Sequence, residues 1–356
     1  MDEIGSTFGS APSKLPNPNL RWETSEQLDF GLDARFLNNR LTLGVDYFDK
    51  KTKDLLFSVT VPPELGVSST TINGGTVLNR GLEFELSWRD HVGDFNYNIS
   101  ANFSTLHNEV LSLPEGTPRV TRSDASSTNY QIQTAFEPGY PVWYLRGYEY
   151  LGVAKADVMW ENPETHESKV MFKAGDPMYT DVNEDGDITS GDLMYIGQGT
   201  PTFTYGLNIN LSWKGIDFAM YGAGIGGNSI LPVLHRTGFK NHMKVYMDKY
   251  QDGTYPNPKT TVGNYVFWSS SANIFKGDFF RIKQLQLGYT LPAKITKKAA
   301  ISNLRFYVSL DDFFTFTSYP GLDPETASTN NTSGAGLDWG SYPTMKKIIL
   351  GVNLTF

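Results

Sequence analysis

Metal-ligating oxygens are concentrated at one place in the 356 residues, the run DVNEDGDITSGD at 181–192. Asp181, Asn183 and Asp185 stand at positions 1, 3 and 5 of a twelve-residue loop, with Gly186 at position 6 where the chain must turn sharply. Asp187 offers a backbone carbonyl at position 7, Ile188 is an apolar anchor, and Asp192 closes the loop at position 12. Carboxylate and amide oxygens alternating around a glycine turn can surround a hard cation, so the spacing predicts a structural calcium site. Two departures count against it. Position 12 is Asp rather than a bidentate Glu, and no amphipathic helix flanks the loop. An Asx-rich turn that binds nothing accounts for the same residues.

Elsewhere the residue types that do chemistry are scattered. Gly222-x-Gly224-x-x-Gly227 matches a dinucleotide fingerprint letter for letter, but no helix pattern follows it, so it reads as a glycine-rich strand end. His91, His107, His166, His235 and His242 form no HExxH and no close cluster. Glu83 and Glu85 share one strand face without a partner that would complete an acid–base couple. No catalytic residue is expected. Zero cysteines exclude disulfides and thiolate chemistry, and a net charge of −8 argues against a general nucleic-acid binder.

The elements that carry these residues are strands. Aromatics reach 13% of the chain, an excess that favours β-structure. In 28–36, Leu28, Phe30, Leu32, Ala34 and Phe36 share one face while Asp29, Gly31, Asp33 and Arg35 take the other. The same alternation returns at 41–47, 82–88, 95–104, 205–213, 216–220, 285–291, 304–310 and 348–356. Its phase slips between Ile282 and Leu285, which predicts a β-bulge. These runs last about 9–11 residues, the length a tilted strand needs to cross a bilayer, and soluble strands are shorter. Their polar partners are mostly Asn, Ser, Thr and Gly, as expected of a wet lumen. Trp22, Trp88, Trp213 and Tyr289 near strand ends suit an interfacial girdle.

Connection lengths point the same way. Short links join 36 to 41, 88 to 95, 213 to 216 and 291 to 304, while long ones span roughly 53–76, 107–141, 174–203, 226–278 and 312–344. Alternating short and long links is the habit of outer-membrane barrels. Nine strands are clear, and parity asks for an even number between 107 and 203. A weaker pair at 142–150 and 167–173 brings the expected total to eleven. Residues 1–20 read as an extension and 21–356 as part of a transmembrane antiparallel up-and-down barrel. The first residues lack a signal peptide's charged and apolar regions, so the chain reads as cytosolic or as a piece of something longer.

At this point the residues resemble a known family. Segments 16–57, NRGLEFELSW (79–88), the DVNEDGDI loop followed by 196–218, FFRIKQLQLGYTLP (279–292), 304–325 and the terminal strand are similar to the SusC-like TonB-dependent outer-membrane transporters of Bacteroidetes. Gly351, Leu354 and Phe356 resemble the C-terminal signal of the barrel-assembly machinery, although Ile349 stands where that pattern starts with a polar residue. The resemblance implies a 22-stranded barrel, this chain supplying strands 12–22 without the plug or the segment gripped by the TonB–ExbB–ExbD complex. It also implies a SusD-like lipoprotein lid and an oligosaccharide or peptide ligand. Tyr140, Trp143, Tyr246, Tyr265, Trp268, Phe316, Tyr319 and Trp339 in the loops suit stacking on sugar rings, and loop packing or contact with a lid accounts for the same residues.

Two rivals remain at this level: a secreted or surface β-sandwich that binds calcium and carbohydrate, and an outer-membrane hydrolase. The sandwich requires short strands and a closed two-sheet core; the hydrolase requires a Ser/His/acid grouping that the sequence does not assemble.

Overall fold

A computed structural model describes residues 14–62, 64, 66–122, 132–232, 240–261, 265–297, 300–329, 336–340 and 342–356. Nine long strands form one antiparallel wall: β1 (Thr24–Phe36), β2 (Leu41–Lys53), β3 (Thr76–Val92), β4 (Phe95–Thr105), β5 (Phe203–Trp213), β6 (Ile216–Gly226), β7 (Phe279–Thr290), β8 (Asn303–Thr317) and β9 (Lys347–Thr355). Each lies beside the next in chain order, the up-and-down arrangement. A tenth strand, His107–Ser112, continues β4 beyond a kink and pairs with the far end of β3. Gly81 makes room at that kink, since a Cβ there would meet the carbonyl of Thr105.

Registry keeps the two faces separate across the whole wall. Phe36, Leu41, Trp88, Ile99, Ile209, Met220, Leu285, Leu310 and Ile348 form one continuous cross-strand row. The adjacent row is Arg35, Thr42, Ser87, Ser100, Asn208, Tyr221, Gln284, Asp311 and Lys347. A one-residue slip anywhere would place a charge in the apolar row. The expected bulge is what preserves the pattern: β7 steps over Lys283, and β8 steps over Asp312 and Phe313, so that Ile282 and Phe314 rejoin the apolar face.

All four short connections lie at one end. Leu37, Asn38 and Asn39 take φ of 54°, 56° and 64°, and Lys214–Gly215 takes 45° and 87°. Two successive left-handed residues give the hairpin turn whose twist matches its strands. The four long connections, 54–75, 106–202, 227–278 and 318–346, lie at the other end.

Among the described residues the wall has nine long strands rather than the expected eleven. β4 pairs directly with β5 from Phe95–Trp213 to Thr105–Phe203, with nothing between them. Of the expected extra pair, Tyr144–Gly147 joins a small sheet within the long connection, and Ser168–Phe172 forms a hairpin with Val158–Glu161. Four or five residues cannot cross a bilayer, and Tyr144, Leu145 and Tyr148 are buried at 2%, 0% and 1% exposure among other loops. The correspondence with strands 12–22 therefore falls to nine. Parity survives, because zero strands between β4 and β5 is also an even number.

Burial is inverted relative to a soluble protein. The large apolar side chains of the wall face outward uncovered, Leu350 at 80% exposure and Leu32 and Ile348 at 64%. The buried clusters lie in the long connections instead. One joins Ile132, Leu145, Leu231 and Leu337; another joins Tyr148, Tyr179, Leu193, Tyr246, Tyr255 and Phe267. Thus the described parts of 106–202, 227–278 and 318–346 pack together through shared clusters. Among the described residues no second sheet covers the apolar face, which removes the sandwich reading.

Aromatic rows bound that face at both ends. Phe84, Phe103, Tyr205, Phe280 and Phe316 stand at one level near the loops, and Phe95, Trp213, Tyr289 and Phe306 at one level near the turns. From Tyr205 to Trp213 the strand runs about 26 Å, roughly 20 Å in height at a tilt of about 40°. That spacing fits an outer-membrane hydrocarbon band of about 25 Å between aromatic girdles.

β1 and β9 each have one unpaired edge. Expressed alone, the chain should aggregate or multimerise, because unpaired peptide groups are costly in lipid and sticky in water. A monodisperse monomer without detergent in size-exclusion chromatography would contradict this. In bilayers, Ile209→Arg should lower the unfolding free energy by about 2–4 kcal/mol and Asn208→Arg, one residue away on the polar face, by far less. Urea titration in liposomes measures both.

Candidate functional site

The polar face is a trough. A hollow of about 390 Å³ is lined by Asp33, Arg35, Glu85, Ser100, Asn102, Asn208 and neighbours from β1 to β6. Another takes in Glu83, Glu85, Asn102, Tyr205 and Glu325 nearer the loops. Glu83 and Glu85 therefore line water, and Glu83 accepts a hydrogen bond from Ser104 at 3.3 Å. Near the turns, Arg305 of β8 reaches across β7 to grip Asp217 of β6 with two hydrogen bonds of 2.8 and 2.5 Å. The bridge passes over Gly288, where a Cβ would come within 2.5 Å of Arg305 and 2.6 Å of Asp217.

At the loop end, the bulge and the connection 318–346 meet in a buried ionic cluster. Arg281 and Asp323 have side-chain exposures of 4% and 2%. The guanidinium donates to Thr315 at 2.9 Å, Glu325 at 2.6 Å and Asp323 at 2.5 Å. Lys283, the residue set aside by the bulge, adds bonds to Glu325 of 2.6 and 2.7 Å and an ion pair with Asp312 at 3.5 Å. Asp323 also accepts the backbone N–H groups of Glu325 and Thr344. Burial alone would push its carboxyl up; the hydrogen bonds from Thr344, Arg281 and Glu325 outweigh it and hold the group below the usual range. The cluster latches this loop to the wall. No local pattern pairs these residues, because the partners lie about 40 positions apart.

The loop at 181–192 is closed by its own hydrogen bonds. Asp181 accepts from the N–H groups of Asp185 and Gly186 at 3.2 and 2.7 Å, and Asn183 donates to Asp185 at 2.8 Å. Asp192 is fully buried and accepts from Val182 and Thr189 at 2.8 and 2.7 Å, which ties the end of the loop to its beginning. Asp187 turns outward to Lys169 at 2.9 Å. Gly186 at φ 82° lies against the ring of Trp160. Asp181, Asn183 and Asp185 are thus brought together, while the side chain of Asp187, whose expected ligand atom is its backbone carbonyl, points away. Among the described residues no three His, Cys, Asp or Glu side chains are grouped as a metal site.

The glycine fingerprint is structural: Gly222 and Gly224 lie under the rings of Phe280 and Tyr205, which stack at 5.7 Å and 7°. Gly351 lies under the ring of Tyr307, while Leu354 and Phe356 project outward.

Comparison with known proteins agrees with this geometry. The family described as TonB dependent receptor-like, beta-barrel matches residues 2–308. The chain belongs to the TonB-dependent receptor β-barrel family. TonB-dependent receptor P3 of Formosa agariphila is 33% identical over 358 residues, covering 98% of this chain and 36% of that protein. TonB-dependent receptor SusC of Bacteroides thetaiotaomicron is 27% identical over 373 residues, covering 99% and 34%. A solved structure of the RagAB peptide transporter superposes with a TM-score of 0.73 at 25% identity, covering all of this chain and 38% of that one. The chain spans about a third of the length of the curated relatives it matches. It is a SusC/RagA-like receptor barrel sequence of the outer membrane, and its named relatives are receptors and transporters.

In this receptor barrel, Arg281→Met should leave Asp323 buried without its counter-ion, at a cost of about 3–5 kcal/mol, and expose 318–346 to protease. Arg281→Met with Asp323→Asn should recover part of that loss. Because the Asp323 carboxyl is held down by folding, its contribution is fully present above about pH 4 and is lost as pH falls through the folded value. Proteolysis of the loop across a pH series reads this directly.

Proposed function

We propose that these residues form wall and outer loops of an outer-membrane importer of oligosaccharides or peptides. The observation that carries the reading is the inverted burial: apolar rows uncovered between two aromatic girdles, a polar trough behind them, and a folded loop assembly at one rim. A wall of that kind separates lipid from a solute path. The likeness to a structure described as a peptide transporter supports the importing role.

In this reading a SusD-like lipoprotein caps the loop rim. The TonB–ExbB–ExbD complex drives import through receptor segments outside these 356 residues, and the barrel-assembly machinery reads Gly351, Leu354 and Phe356. Tagged receptor solubilised from its native outer membrane should bring down one lipoprotein in equal amount; recovery without a lipoprotein would sink the lid.

Calcium at 181–192 is a separate proposal. It is supported by the oxygens of Asp181, Asn183 and Asp185, which lie within hydrogen-bond reach in a loop whose ends Asp192 has already joined. Calcium would replace those hydrogen bonds with metal contacts and rigidify the connection. Protease cleavage within 150–200 should slow with calcium, quicken with chelator, and lose that difference in Asp185→Ala. Equal cleavage in both buffers would mean the loop is a bare Asx turn.

A further inference from the structure

We propose that Tyr140, Arg146 and Tyr195, on one face of the small loop sheet, form a subsite for a carboxylate-bearing sugar ring of the imported ligand, a proposal that rests on the importer reading. Arg146 lies on the strand Tyr144–Gly147, opposite Gln133 on one side and Tyr195 on the other. Tyr144 precedes it on the same face. The ring of Tyr140 packs against Tyr144 at 4.8 Å and against Tyr195 at 6.0 Å and 21°. Tyr144 beneath is buried, whereas Tyr140 and Tyr195 are each more than a third exposed. Two rigid, nearly parallel rings thus present a platform that is apolar on its face and carries hydroxyls at its edge.

The charges beside it are unequal. Arg119 is committed to Glu137 by two hydrogen bonds of 2.6 and 2.7 Å, and Glu137 also accepts the hydroxyl of Tyr144 at 2.5 Å. That hydrogen bond from Arg119 holds the Glu137 carboxyl below its usual range. Arg146 is half-buried and makes no hydrogen bond or ion pair among the described residues. Burial and the neighbouring charge of Arg119 work against its own charge, and Tyr144 and Glu137 nearby offset them only in part. A half-buried guanidinium whose charge is disfavoured on balance favours an incoming anion, and its planar fork matches a carboxylate with two parallel hydrogen bonds.

The platform and the backbone together select the ligand class. The strand bearing Arg146 is paired on both sides, so a peptide cannot bind there by adding a strand to it. A pyranose ring can lay its C–H face on Tyr140 and Tyr195 while its carboxylate reaches Arg146, with the amide of Gln133 alongside.

The test uses the whole receptor purified in detergent and oligogalacturonate as probe, read by calorimetry. The wild type should bind it, and the same oligosaccharide with its carboxylates reduced to alcohols should bind about tenfold more weakly or worse, the scale of a charge-assisted contact. Arg146→Met should lose the preference for the acidic form while melting no lower than wild type, since among the described residues the guanidinium it removes makes no hydrogen bond or ion pair. Tyr195→Ala should weaken both forms. Equal binding of the two oligosaccharides, or an Arg146→Met receptor that still prefers the acidic one, would overturn the proposal. So would equal, Arg146-dependent binding of an acidic peptide, which would remove the sugar assignment. The measurement needs neither lid nor energised uptake, so its failure and a failed lipoprotein co-purification are told apart.

Discussion

A peptide group in hydrocarbon has no water to bond, and a strand that crosses hydrocarbon must therefore satisfy its backbone through neighbours on both sides. From β2 to β8 every strand does so. Once pairing is obligatory, the pleat assigns alternate side chains to lipid and to water, and a single slip would invert the assignment for everything beyond it. The bulge at Lys283 shows how strictly this holds. An extra residue in β7 is matched by extra residues in β8, and the apolar row resumes in phase. Glycines serve the same end, since Gly222, Gly224 and Gly351 leave space for rings that would otherwise force the strands apart.

Because the wall gains its apolar contacts from lipid, the buried core of this chain forms elsewhere. Three long connections, distant in sequence, share clusters built around Tyr148, Phe267, Leu145 and Leu231. Surface loops normally gain little from burial; these gain enough to fold as a unit on the rim. The same connections carry the stacked rings of Tyr140 and Tyr195.

The latch joins these two regimes. Arg281 belongs to the wall and Asp323 to the loops, and both are almost wholly buried. Such a pair contributes little net stability compared with apolar packing, but it is costly to break from one side. It specifies where the 318–346 connection rests, and Lys283 takes part only because the bulge turns it to the polar side.

Local sequence determined the alternation, the short turns and the phase slip before Leu285, because each depends on neighbours within a few residues and on the contrast between apolar and polar types. The placement of 142–150 went the other way. VWYLRGYEY has strand-forming residues, but only the register of β4 on β5 and the burial of Tyr144 and Tyr148 among distant loops exclude it from the wall. The Asp181–Asp192 loop was legible as a sharp acidic turn, and its hydrogen bonds to Val182 and Thr189 were not. The Arg281–Asp323 latch and the half-buried setting of Arg146 beside Tyr195 were likewise decided by tertiary structure. A charge's partner is set by which chains converge in space, and long-range convergence leaves no periodic trace in the sequence.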